Sequence, residues 1–180
     1  SSSSSNLVED TSVWMDLDDS SWEDKEYYLS RCDCWPDGSV MAQVEDRRQQ
    51  TLQLLKLDPK NGMREILLEE SGRGVWINLH DLWHPIDMRD VPNLNGINGY
   101  NRSATQDDSN SFAFIWGSER SDFMQLYLYI YNGGACTLVN ETPITIGGEW
   151  IVDQIVCVDV IRNRLFFSCN LDDPAGQQLY

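Results

Sequence analysis

The chain is poor in positive charge, in histidine and in long apolar runs. Its 180 residues include 13 Lys and Arg against 29 Asp and Glu, a net charge of −16. A surface this acidic repels phosphates, which argues against nucleic acid and anionic membrane surfaces as partners. No window approaches the roughly 18 apolar residues of a membrane span. The first residues also lack the basic and apolar regions of a signal peptide.

Cysteine is scarce and poorly spaced for a metal site or a disulfide framework. The five cysteines contain one close pair, C-x-C at 32–34, and no C-x-x-C. No second pair or nearby histidine completes a zinc tetrad. We therefore predict reduced, mostly buried thiols in a reducing, cytoplasmic compartment, with no metal and no cofactor.

The chain also lacks the usual signatures of a catalytic site. No G-x-S-x-G string is present to place a nucleophilic serine on a strained turn. The two histidines, His80 and His84, have the i,i+4 spacing of a zinc helix, but the Glu that follows the first His in H-E-x-x-H is missing. Pro85 also disfavours a helix at His84. We predict no catalytic residue, and a metalloprotein is the weakest hypothesis.

Residues 1–26 form a leader rich in Ser, Asp and Glu, with isolated apolar residues and no sustained period. Such a composition is typical of a disordered tail or an extended linker. Within it, Trp14 and Trp22 are candidates to anchor the leader to a neighbouring surface.

From residue 27 onward, short apolar runs are separated by turn residues, and SVMAQVE and TLQLLKL alternate apolar and polar residues. A PDG turn and a DPKNG turn punctuate the first four runs, which read YYLSRCDCW, SVMAQVE, TLQLLKL and MREILLEE. Pro fixes φ and Gly accepts positive φ, so each of these turns has a physical basis. Strands at roughly ten-residue spacing indicate antiparallel β structure.

The same order recurs further along the chain. Strands are predicted at 112–116, 124–131 and 135–139, and a third copy begins at IRNRLFF and stops inside a strand. The landmark LQL at 52–54 corresponds to MQL at 124–126 and QQL at 177–179, and a polar insert occupies 87–110. Four-stranded repeats of about 40–50 residues, longer where there are inserts, indicate a β-propeller. We predict an all-β fold over 27–180, a partial propeller of about two and a half four-stranded blades, cut from a longer protein.

Three stretches of this chain, in order, resemble one known family. They are EYYLSRCDCWPDGSVMAQVEDRRQQTLQLLKL, VWINLHDLWHPI and ITIGGEWIVDQIVCVDVIRNRLFFSCNLDDPAGQQLY. They are similar to the N-terminal propeller region of the dipeptidyl peptidase IV family, and most similar to its cytosolic branch, dipeptidyl peptidases eight and nine. The likeness covers most of 26–180 and is weakest in the insert.

The resemblance implies an eight-bladed propeller followed by an α/β-hydrolase domain that carries the catalytic Ser, Asp and His. Together these release Xaa-Pro and Xaa-Ala dipeptides from peptides with a free N-terminus. The present chain would then gate and line the substrate pocket without a triad, in an enzyme with a possible homodimeric state. The alternative is a non-catalytic propeller module that binds a protein or a peptide.

The W-I-N-L-H-D motif at 76–81 is the candidate wall of the substrate pocket. Read as a strand, it places Trp76, Asn78 and His80 on one face and Asp81 on the other. From the resemblance we expect Trp76, His80 and Asp81 to line the substrate pocket. The neighbouring Glu69–Glu70 pair lacks the E-E-F-x-R-x-x-G context of the family's ammonium clamp, so we predict a solvated strand end there.

Overall fold

A computed structural model of the protein describes residues 12–17, 26–72, 74–88, 91, 111–133, 136–145 and 147–180. Regular structure in these ranges consists of β-strands. The first blade contains β1 (Tyr27–Cys34), β2 (Val40–Asp46), β3 (Thr51–Leu57) and β4 (Arg64–Ser71). The second contains β5 (Trp83–Ile86), β6 (Phe112–Ser118), β7 (Gln125–Asn132) and β8 (Thr137–Pro143). The third contains β9 (Val152–Asp159), β10 (Arg164–Cys169) and β11 (Gln178–Leu179).

Each blade is an antiparallel sheet whose strands pair in chain order. Two sheets have four strands and the third has three, which confirms the predicted all-β partial propeller. The LQL, MQL and QQL landmarks each contain a glutamine at the equivalent position, here called the landmark glutamines. They are Gln53, Gln125 and Gln178, and they lie in β3, β7 and β11, the third strand of each blade. The repeat inferred from the sequence is therefore the structural repeat. Across the described ranges no helix is long and apolar enough to cross a membrane.

Strict alternation in the second blade gives it two buried faces. Phe112, Phe114 and Trp116 of β6 belong to a cluster with Trp35, Met41 and Leu54 of the first blade, here called the first seam. Ala113 and Ile115 of the same strand face the third blade, in a second cluster that includes Leu126 and Val152. Successive side chains of a strand point to opposite faces, so a single strand supplies both interfaces.

Part of the leader lies against the outer face of the first blade. Met15 and Leu17 pack on an apolar cluster made of Ala42, Val44, Leu55 and Leu57. The Asp16 amide donates to the Gly62 carbonyl at 2.9 Å. Trp14, the predicted anchor, is instead 95% exposed, and Met15 and Leu17 make the contact. Trp22 and most of the insert, residues 89–90 and 92–110, lie outside the described residues.

The cysteines differ from the prediction of mostly buried thiols. All five are free, but Cys32, Cys34 and Cys157 are exposed and only Cys169 is fully buried. Cys32 and Cys34 lie on β1, an edge strand of the first sheet. An edge strand has one neighbour in its sheet, so its alternate side chains are less completely covered than those of β2 or β3.

Candidate functional site

The candidate site residues lie on the segment that joins the first blade to the second, residues 74–82, here called the crossing segment. The predicted strand at 76–81 is wrong, because the strand begins only at Trp83. The crossing segment bonds to loops and strand ends instead of pairing along a neighbour. The Ile77 amide donates to the Gln49 carbonyl at 2.7 Å, and the Gly117 amide donates to the Leu82 carbonyl at 2.6 Å.

Trp76 projects from the crossing segment into solvent. It is 70% exposed, and Val75 and Leu79 beside it are also exposed. Single exposed apolar residues are ordinary on protein surfaces, but three exposed apolar side chains within five residues offer surface that suits an apolar ligand group.

His80 turns inward and packs on the first seam. Its ring meets that of Trp116 edge-on, with centroids 4.7 Å apart and the planes at 61°. Its Nδ1 accepts a hydrogen bond from the Leu82 amide at 3.2 Å. Burial, reinforced by the positive charge of Arg31, lowers the pKa of His80 to about 4. His80 is therefore a neutral, structurally engaged imidazole at neutral pH.

Asp81 points the other way, toward the first strand of the first blade. Its carboxylate accepts a hydrogen bond from Nε of Arg31, and its side chain is 84% exposed. The ion pair orients the carboxylate and leaves most of it open to solvent. Because the pair is exposed, it contributes little to stability.

The structure therefore places Trp76, His80 and Asp81 on one short segment in three different environments. Trp76 is in solvent, His80 is in the seam, and Asp81 is beside Arg31. Their assignment to a pocket wall stays a prediction. The exposed side chains that such a wall would present are Trp76 and Asp81, while His80 holds the segment in place.

Glu69 and Glu70 separate as adjacent strand residues must. Glu69 is exposed and accepts from Nε2 of Gln53 at 2.9 Å. The Glu70 side chain is largely buried, and its Oε1 accepts from Nε1 of Trp116 at 3.0 Å. The predicted solvated strand end is therefore wrong for Glu70, which bonds across the first seam.

Arg120 adds a positive charge beside the Glu70–Trp116 hydrogen bond, and it was not identified from the sequence. It lies in the β6–β7 loop, where Nε donates to Oγ of Ser118 at 3.0 Å. Its guanidinium contacts the Glu141 carboxylate and the Tyr129 hydroxyl, and one nitrogen lies 3.5 Å from Oε1 of Glu70. A lone arginine in a polar loop has no sequence signal that distinguishes it from a solvated one.

A cavity of about 730 Å³ lies at the opposite end of the strands, between the turns of the first and second blades. Trp35 and Phe112 form part of its wall, and Lys56 beside them bonds to Asp37 at 2.7 Å. No residue of the crossing segment lines it. Among the described residues no group of three or more His, Cys, Asp or Glu side chains is arranged to hold a metal ion.

The chain matches the sequence model of one protein family, described as dipeptidyl peptidase IV (DPP IV) N-terminal region, over residues 4–180. The match runs through all three blades and includes the crossing segment and the seam residues. It agrees with the three successive antiparallel sheets of the structure, two of four strands and one of three. The chain belongs to the family of dipeptidyl peptidase IV N-terminal regions.

Proposed function

We propose that this chain is the propeller portion of a serine-type dipeptidyl peptidase of the cytosolic, eight-and-nine-like branch. In the complete enzyme a C-terminal α/β-hydrolase domain supplies the triad and releases Xaa-Pro and Xaa-Ala dipeptides. The propeller gates the substrate route and contributes part of its wall. The observation that carries the proposal is the family match over 4–180, with the blade order that accompanies it.

The crossing segment supports a role in substrate contact. It presents an exposed aromatic ring on Trp76 and an open carboxylate on Asp81 within six residues. Peptides with a free N-terminus carry an ammonium group, and a chain with a net charge of −16 attracts cations. Such a wall is suited to apolar and cationic groups of a peptide.

The first test compares the full-length protein with the 180-residue chain on a Gly-Pro chromogenic amide. We expect turnover by the full-length protein and none by the 180-residue chain, because no nucleophile elbow is encoded here. A fluorophosphonate probe should label a serine outside these residues. Turnover by the purified 180-residue chain, or a full-length protein without turnover or labelling, would contradict the proposal.

The second test removes the exposed ring. Trp76→Ala in the full-length enzyme should raise KM by about fivefold, the equivalent of about 1 kcal/mol, with little change in kcat. Trp14→Ala is the matched control, because Trp14 is also largely exposed but belongs to the leader segment that packs on the outer face of the first blade through Met15 and Leu17. Equal effects of the two substitutions would remove Trp76 from the pocket wall.

A non-catalytic binding module is the second candidate, favoured by the exposed apolar side chains of Val75, Trp76 and Leu79. It predicts peptide binding by the full-length protein without turnover or labelling.

Cytoplasmic location and a homodimer belong to the first proposal. Cell fractionation and light scattering of the full-length protein test them.

A further inference from the structure

Arg120 is the centre of a cluster that joins the first blade to the second. Its partners Ser118, Tyr129 and Glu141 all belong to the second blade, and its guanidinium lies 4.2 Å from the centroid of the Tyr127 ring. These contacts hold the arginine in one orientation. It also reaches Glu70 of the first blade, at 3.5 Å.

Glu70 links Arg120 to the first seam. The same oxygen, Oε1, accepts from Nε1 of Trp116, whose side chain is fully buried. The Glu70 side chain is only 14% exposed. A carboxylate this enclosed needs both a hydrogen-bond donor and a neighbouring cation, because burying an unpaired charge is costly. Arg120 and Trp116 together meet that need.

Trp116 in turn supports the crossing segment. His80 packs against its ring, and the backbone of the next residue, Gly117, bonds to Leu82. A second contact joins the same loop to the segment, since Nδ2 of Asn78 donates to Oε2 of Glu119 at 3.1 Å. The crossing segment has no strand pairing of its own at 76–82, so these contacts decide where its side chains lie.

We propose that Arg120 is a positioning residue for substrate selection. Through Glu70 and Trp116 it sets the spacing of the first two blades, and hence the place of Trp76 and Asp81 on the substrate route. It touches neither substrate nor reacting atoms. This inference rests on the proposed function and deepens it.

The test uses three carboxylate variants of the full-length enzyme. Glu70→Gln removes the charge that pairs with Arg120 across the blades, and its amide oxygen still accepts from Trp116. Glu141→Gln removes a charge from the same arginine within one blade. Asp159→Asn breaks an exposed ion pair with Arg162 on the β9–β10 turn and serves as the distant control.

We expect Glu70→Gln to raise KM for a Gly-Pro amide by about three- to tenfold with kcat unchanged within about twofold. Glu141→Gln should change KM less than Glu70→Gln, and Asp159→Asn not at all. Arg120→Met should reproduce Glu70→Gln. Arg120→Lys should restore part of the loss, because a lysine keeps the charge but lacks the planar fork.

A double-variant cycle separates positioning from general loss of stability. If Glu70 acts through the seam, adding Glu70→Gln to a His80→Asn enzyme should raise KM less than it does in the wild type. The same addition of Glu141→Gln should be additive.

Equal KM effects of Glu70→Gln and Glu141→Gln, an unchanged KM in Glu70→Gln, or a fall confined to kcat would overturn the positioning role. An active wild-type enzyme with any of these results leaves the proposed function standing. A wild-type protein without dipeptidyl peptidase activity overturns both.

Discussion

His80 offers a direct test of the packing at the first seam, because burial there keeps its imidazole neutral. The substitution His80→Asn keeps a side-chain oxygen that can accept from the Leu82 amide, and it removes the titrating group. The variant therefore isolates the protonation of one imidazole. It also loses the ring contact with Trp116, which lowers stability by a similar amount at every pH.

The sign of the pH effect follows from the depressed pKa. The folded protein holds His80 at about 4, whereas the unfolded chain has the ordinary value of 6.5. Below pH 6.5 the unfolded chain takes up a proton that the folded protein does not, so the free energy of unfolding falls until about pH 4. Between about pH 7.5 and pH 5 this loss amounts to about 2 kcal/mol.

Urea unfolding of wild type and His80→Asn at both pH values measures this loss. The stability difference between the two proteins should shift by about 2 kcal/mol in favour of the variant as the pH falls. Glu45, whose pKa is raised by burial, contributes with the opposite sign but equally in both proteins. The pI of about 4.2 keeps the useful range above pH 5, since solubility falls near zero net charge.

Proton NMR gives a direct reading on the 180-residue chain, which contains only two histidines. The Cε1–H resonance of His80 should stay flat from pH 8 to pH 5, and His84→Asn identifies which signal belongs to which ring. A His80 resonance that titrates near 6.5 in the folded protein would refute the reasoning. So would a stability difference between wild type and variant that does not change with pH.

Two further substitutions test the packing of the first blade. Gly62→Ala should destabilise the chain and speed amide exchange at Asp16. Gly62 has φ +74, and an added Cβ would lie 1.9 Å from the Trp14 carbonyl oxygen. Unchanged exchange at Asp16 would contradict the packing of residues 12–17 on the first blade. Leu54→Ala should cost about 2–5 kcal/mol in urea unfolding, because Leu54 is fully buried in the first seam. Its control, Ile161→Ala, should cost about 0.5 kcal/mol or less, because Ile161 is largely exposed.

Local patterns in the sequence were enough to predict most of the strands. Alternation in SVMAQVE and TLQLLKL and the PDG turn between β1 and β2 act over a few residues. Gly38 in that turn has φ +86, as a glycine there allows. The three landmark glutamines marked the third strand of each blade because every blade repeats the same local order.

The crossing segment shows where that reasoning stops. W-I-N-L-H-D alternates like a strand, but no strand in the described part of the chain pairs with it, and β5 begins only at Trp83. Alternation describes which side chains share a face and does not supply a hydrogen-bonding partner. The segment is held instead by Gln49 and Gly117, residues that are distant in the chain.

The sequence by itself determined most of the strands, the turns, the blade repeat and the family, because each of these depends on short-range order along the chain. Only the tertiary structure decided that Glu70 meets Trp116 and Arg120, residues 46 and 50 positions away. Periodicity predicts that a side chain faces a seam. It does not predict which residue of the next blade stands opposite, because that depends on how two whole sheets stack.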